Sequence, residues 1–397
     1  MTANKHFSGS IVLLLAVSSG LIVANLYYAQ PLVALISKDL GMAPAAAGLL
    51  VTMSQIGYGL GLLFIVPTGD MFESRRLIIT ITSVGILALL GAAFSSDASQ
   101  FIAASFMIGI GSVAVQIIIP YAAHIAPQEI QGRVVGYVMS GLLLGVMLAR
   151  PFASIVTELF SWHAIFIVSA ISLTVLMAVL YKLMPKRIPQ PNMSYGRLLA
   201  SMGRMFIEIP ALRRRSVYQG CLFASFSLFW TVVPMYFSGT AYNMSQAHIA
   251  LFGLVGAAGV VAAPIAGRIA DKGVTKFKSS AAILTAMAAI ALPQLAGHSG
   301  TLELALLVVC AVMLDFGAIA NQVMGQRVIF SLGAEFRSRL NGVYMATFFG
   351  GGAAGSAIGG YVYAAYGFSA ALWTGLALPA IALVYLITEP KGLYSKK

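Results

Sequence analysis

CAVMLDFGAIANQVMGQ, residues 310–326, decides how this chain is read. The run is apolar, yet it carries one carboxylate, Asp315, followed by Asn321, Gln322 and Gln326. Counted from Leu302, Asp315 lies about 13 residues, or roughly 20 Å, along a helix rising ~1.5 Å per residue. A carboxylate at that depth in a bilayer is costly unless it has a function or a partner.

The composition puts that helix in a membrane. Hydrophobic residues make up 59% of the 397 and charged residues only 9%, with a mean hydropathy of +0.90. A soluble chain is about one quarter charged. Cys221 and Cys310 both fall in apolar runs, which suggests neither a disulfide framework nor a metal site. The first apolar run, Ile11–Ala29, is long for a signal peptide and lacks a small-x-small cleavage site, so it reads as a span.

Apolar runs of about 20 residues, enough to cross a bilayer, occur near 9–37, 45–67, 76–95, 99–122, 133–158 and 162–182. Six more follow near 214–238, 246–268, 279–297, 302–325, 339–364 and 368–388. These are spans 1 to 12. They divide the chain into a first bundle over 1–183, a basic linker over 184–213 and a second bundle over 214–397. In the linker Leu198, Leu199, Met202, Met205, Phe206 and Ile209 recur at helical spacing, the pattern of an amphipathic helix lying at the interface.

The net charge of +12 comes from 24 Lys and Arg against 12 acids. With the amino terminus inside, Lys38 alone falls in an outside loop and Arg150 lies within span 5. The other basic residues fall in cytoplasmic loops, tails or helix ends. That sorting obeys the positive-inside rule. It assigns the charge to orientation and to anionic lipid at the cytoplasmic face, and not to nucleic acid. Both termini are then cytoplasmic.

The halves repeat. A shift of 206 lays Gly132–Gly136 over Ser338–Gly342, Gly145 over Gly351, Gln116 over Gln322 and Met107 over Met313. A shift of 201 lays Asp70 over Asp271. The expected fold is an all-α membrane protein of 12 transmembrane helices. They form two six-helix bundles related by a pseudo-two-fold axis along the membrane normal, with the site between them.

With these features the chain resembles the major facilitator superfamily over essentially its whole length. The loop Pro67-Thr-Gly-Asp70-Met-Phe-Glu-Ser-Arg75-Arg76 is similar to that family's loop signature. Met71 and Glu73 replace its usual basic residue and glycine. The second copy, Gly267-Arg268-Ile-Ala-Asp271-Lys272, keeps the front of the signature and loses its end. The resemblance implies a conformational latch at Asp70, Arg75, Arg76, Gly267, Arg268 and Asp271; the alternative is a solvated loop that only enforces topology. Asn25-Leu-Tyr-Tyr-Ala-Gln-Pro-Leu32, with Leu148-Ala-Arg150-Pro and Gly325-Gln-Arg327, resembles the bacterial arabinose-efflux-like and drug-efflux-like permeases.

In that family spans 1, 4, 7 and 10 line the central cavity. The resemblance therefore points to Asn25, Tyr28, Gln30, Gln116, Gln219, Trp230, Asn321 and Gln322 as the substrate cavity, the alternative for any amide being a bond between packed helices. Amides and aromatics suit a neutral or amphiphilic small molecule. Tyr27 and the span 11 tyrosines read as packing. Glycine rows such as Gly350–Gly360 let backbones approach and slide.

Proton coupling is expected at Asp315 and Arg150. Asp315 is the only acid at mid-membrane; the other acids, Glu303 among them, fall in loops, tails or helix ends. A carboxylate held out of water favours its protonated form, and a group so poised can take a proton on one side and release it on the other. The alternatives are permanent pairing with a cation, or capping of a bent helix near Gly317. Arg150 lies about ten residues, ~15 Å, from the outer end of span 5. It binds an anionic group, pairs with an acid, or holds carbonyls at a helix break. Their repeat equivalents are Ser356 for Arg150 and Gly109 for Asp315, so neither charge is a repeated scaffold element.

The expected protein is a monomeric secondary transporter of the bacterial plasma (inner) membrane. It exports small organic molecules by proton antiport, with no cofactor beyond the proton gradient. Proton-coupled uptake and a non-transporting receptor are the alternatives. Neither a phosphate-binding loop nor a polar cluster suited to an enzyme is visible.

Overall fold

The structure is a computed structural model that describes residues 9–189, 194–239, 242–256, 265–268, 276–295, 300–333 and 336–390. Every regular element among these residues is helical. Nine of the described helices are long and apolar enough to cross a bilayer. One, Arg337–Ile387, runs to 51 residues. A straight helix of that length would reach about 75 Å, more than twice a ~30 Å hydrocarbon core. It breaks at Gly367, where φ is 84° and ψ −178°, a conformation open in practice only to glycine. The two pieces are spans 11 and 12.

Span 1 is discontinuous. Gly9–Ala24 is followed by turns through residues 25–29, a 3-10 turn Gln30–Leu32 and the short helix Val33–Asp39. Pro31 sits in the first turn of the restart, where a missing N–H costs least. Span 4 is likewise split, into Ala98–Ser112 and Val115–Ile125. Spans 2, 3, 5 and 6 are Leu49–Phe64, Ser74–Ala93, Gln131–Leu159 and Trp162–Leu183. Spans 7, 9 and 10 are Pro210–Ser238, Lys276–Ala291 and Thr301–Phe330. Span 8 is described over Gln246–Gly256 and 265–268. The amphipathic linker helix is Tyr195–Glu208, with Leu198 and Met202 buried.

The halves meet along two helix pairs, span 2 with span 11 and span 5 with span 8. In the first pair Thr52 Oγ1 lies 2.8 Å from Ser356 Oγ. One turn along, Gln55 Nε2 donates to Ser227 Oγ of span 7 at 2.8 Å. In the second, Ala247 N donates to Glu158 Oε2 at 3.3 Å. Toward the end that carries the basic loops, spans 2 and 11 part. They leave an apolar cleft of about 510 Å³ lined by Leu60, Phe64, Val343 and Gly350 and by Met202 and Phe206 of the linker helix. That helix holds both halves: Tyr195 Oη donates to Phe64 O at 2.7 Å, and Arg339 Nη1 donates to Ser201 Oγ at 3.0 Å. The span 11 glycine row has two uses. Gly351 and Gly355 press against the span 7 backbone in the same half, whereas Gly352 and Gly360 meet Gln55 and Gly48 across the interface.

Candidate functional site

A cavity of about 130 Å³ lies between the halves, lined from spans 1, 2, 4, 5, 7, 8, 10 and 11. Among its lining residues are the two charges the sequence singled out, Asp315 and Arg150, each only 4% exposed. They do not pair. Asp315 Oδ1 accepts from the indole Nε1 of Trp230 at 2.9 Å, and the Arg150 guanidinium lies over the ring of the same Trp230, 4.2 Å from its centroid. Tyr27 and Phe226 also flank the guanidinium, at 5.2 and 5.4 Å. Trp230 therefore bridges a buried cation to a buried acid, giving its face to one and its N–H to the other. Stacking of this kind is worth about 2 kcal/mol or more once desolvated.

Arg150 is positioned from span 1, where Gln30 Oε1 accepts from its Nε at 2.8 Å. The break in span 1 brings Gln30 to that place. Arg150 Nη2 is buried with no hydrogen-bond partner. Span 8 makes room through glycine: a Cβ on Gly256 would come within 2.6 Å of the Trp230 ring and 3.1 Å of Asp315 Oδ2. Gly253 lies against Arg150 Cβ and Pro151 in the same way.

The expected amides divide. Gln116 and its repeat equivalent Gln322 both line the cavity, and Gln116 Nε2 donates to Tyr58 Oη at 2.8 Å. Gln219 lines it too, accepting from Asn321 Nδ2 at 2.7 Å while donating to Ala318 O at 3.3 Å. Asn321 is thus one residue removed from the cavity. Gln30 and Trp230 stand behind the lining, against Arg150 and Asp315, and the structure departs further from expectation at Asn25 and Tyr28. Asn25 donates to Leu21 O and Ile22 O at the end of the first helix and accepts from Ser169 Oγ of span 6 at 2.6 Å. Tyr28 packs near Phe152, ring centroids 6.5 Å apart. Tyr27, expected to be packing, takes the cavity position instead. The reason is the turn through residues 25–29, which resets which residue faces inward.

Of the expected latch, Asp70 ends a 3-10 turn, Val66–Asp70, and is exposed. Glu73 instead caps span 3, accepting from the backbone N–H of Arg75 and Arg76 at 2.9 and 3.1 Å. Arg75 Nη1 donates to Tyr181 O and Met184 O at the end of span 6, at 3.1 and 3.4 Å. Arg76 and Arg268 are exposed and Gly267 is half-buried. Asp271 lies outside the described residues.

Two charges, each at most 1% exposed, escaped the sequence reading. Glu303, taken as a helix-end acid, opens span 10 but is 1% exposed and accepts from Tyr236 Oη and Tyr242 Oη at 3.0 and 2.9 Å. Arg215, one of the basic residues assigned to cytoplasmic loops, tails or helix ends, is fully buried in span 7 and donates to Ser279 Oγ at 2.7 Å. Both are charges at helix ends, where sequence alone gives no sign of burial. No group of three or more His, Cys, Asp or Glu able to hold a metal occurs among the described residues.

Known proteins agree with this architecture. The family model described as Major Facilitator Superfamily matches residues 12–320 and 216–397. The putative uncharacterized transporter YgaY of Escherichia coli (strain K12) is 36% identical over 99% of this chain and 98% of its own. The probable transporter SCO4007 of Streptomyces coelicolor is 32% identical over 94% of this chain and 84% of its own. Among solved structures, a bacterial homologue of the human lysosomal transporter Spinster, inward-facing and occupied, superposes with a TM-score of 0.76. It covers 97% of both chains at 12% identity, a likeness of fold.

Proposed function

Because the chain belongs to the Major Facilitator Superfamily, and so is a membrane transporter and not an enzyme, we propose that it is a proton-coupled secondary carrier of small organic molecules. Asp315 is its proton site. The observation that supports this is the placement of Asp315. It is a buried acid on the cavity wall, held by one neutral donor and by no ion pair, and so free to gain and lose a proton as the cavity opens to each side in turn. Arg150 and Trp230 set its surroundings. The protein works in the plasma (inner) membrane, with the basic loops and both termini in the cytoplasm and anionic lipid against the linker helix.

Export by antiport is the direction expected from the efflux-like sequence features. A second reading, inward co-transport, is favoured by Arg150 sharing the cavity with Asp315. A cargo bearing negative charge would counter Arg150 and leave Asp315 to be countered by a proton moving with it.

The test uses right-side-out vesicles and a compound found by thermal-shift screening of the purified protein. Antiport drives protons into the vesicle as cargo leaves; co-transport carries both the same way. Asp315→Asn should abolish proton-driven movement of cargo against its gradient while leaving binding and exchange largely intact. Uphill movement that persists in Asp315→Asn would overturn the proton role.

A further inference from the structure

We propose that the cavity between the halves binds a small aromatic monocarboxylate, with its carboxylate on Arg150 and its ring against the phenylalanines of spans 7 and 11. The proposal rests on the reading of this cavity as the transport site and adds to it the class of the cargo.

The guanidinium supplies the first argument. Its Nε is bonded to Gln30, but Nη2 is buried without a partner. A buried charged donor left without an acceptor is costly. The nearest acid on the cavity wall, Asp315, is held by Trp230 and makes no ion pair with Arg150. A planar carboxylate fits the fork of a guanidinium with two parallel bonds, and it would supply the missing acceptor. A cationic ligand would leave that donor as it is, and a neutral carbonyl would meet it without the charge assistance and two-point fit of a carboxylate.

The walls supply the second argument. Phe223 stacks on Phe348 at 3.8 Å and on Phe226 at 5.1 Å, and Phe349 lies 4.4 Å from Tyr58. All five rings line the cavity, and Phe226 also flanks the guanidinium. An aromatic ring held by offset stacking or edge contact suits such a wall.

The test is equilibrium binding to the purified full-length protein with three matched probes. They are benzoate, benzamide (the ring without the charge) and acetate (the charge without the ring). Benzoate should bind at least tenfold more tightly than either. Arg150→Lys, which keeps the charge and loses the fork, should weaken benzoate about tenfold and leave benzamide unchanged. Arg150→Gln should remove the preference for benzoate over benzamide. The wild-type comparison needs no variant and stands even if Arg150→Gln fails to fold. Equal binding of benzoate and benzamide, or equal loss of both in Arg150→Lys, overturns the proposal. If no monocarboxylate binds while another compound is still accumulated in an Asp315-dependent way, the cargo class is wrong and the carrier reading survives. If monocarboxylates bind but nothing is accumulated through Asp315, the carrier reading falls and the ligand assignment stands.

Discussion

Trp230 gives its ring face to Arg150 and its N–H to Asp315, so one side chain from span 7 fixes a charge from span 5 and a charge from span 10. Trp230→Phe keeps a ring for the guanidinium and removes the donor to the carboxylate. A hydrogen bond to a charged group is worth about 1.5–3 kcal/mol. Proton-driven flux in the variant should therefore fall roughly tenfold to hundredfold, with the yield of folded protein unchanged. Flux within twofold of the parent would show that the bond is incidental. Asp315 and Arg150 were legible in the sequence because each is a lone charge in an apolar run. Their connection was not. The contact joins residues 85 positions apart, and although Trp230 was expected at the cavity, nothing in span 7 tells that its N–H meets Asp315 and its face meets Arg150. Tyr27 and Tyr28 differ by only about 100° around a helix, so a change in local turn geometry decides which of them meets the guanidinium.

Helices are the scale at which the sequence spoke most clearly, since a run of about 20 apolar residues needs no partner to be recognised. Boundaries and breaks were harder. Pro31 was visible, but the turns through 25–29 and at Val113–Ala114 contain no residue that forbids a helix. Both depend on packing from elsewhere. The break between spans 11 and 12 rests on a single residue, Gly367, with φ of 84°. Gly367→Ala places a Cβ in a backbone region that costs on the order of 1–3 kcal/mol. It should lower the thermal midpoint of the purified protein, while Gly350→Ala, where a Cβ meets nothing within 4 Å, serves as the comparison that should cost little. An unchanged midpoint in Gly367→Ala would mean that the turn relaxes at no cost.

Two halves that rock past each other must break the contacts that now join them, and the Thr52–Ser356 hydroxyl pair is one such contact. In a background with Cys221→Ser and Cys310→Ser, the pair Thr52→Cys and Ser356→Cys should form a disulfide under oxidation, abolish flux, and recover it on reduction. Full flux in the cross-linked protein would mean that this interface never opens. The linker helix, gripping Phe64 on one side and Arg339 on the other, is the chain's own connection across the opposite end. The cavity has one more consequence at this scale. Its lining holds one arginine and one aspartate, so with Asp315 ionised the empty site carries no net charge. Each elementary charge dragged through a membrane potential costs or gains about 2.3 kcal/mol per 100 mV. A neutral site escapes that force, so reorientation with Asp315 ionised and no cargo bound would run at the same rate in an energised cell as in a depolarised one, whereas protonating Asp315 leaves the Arg150 charge to feel the potential.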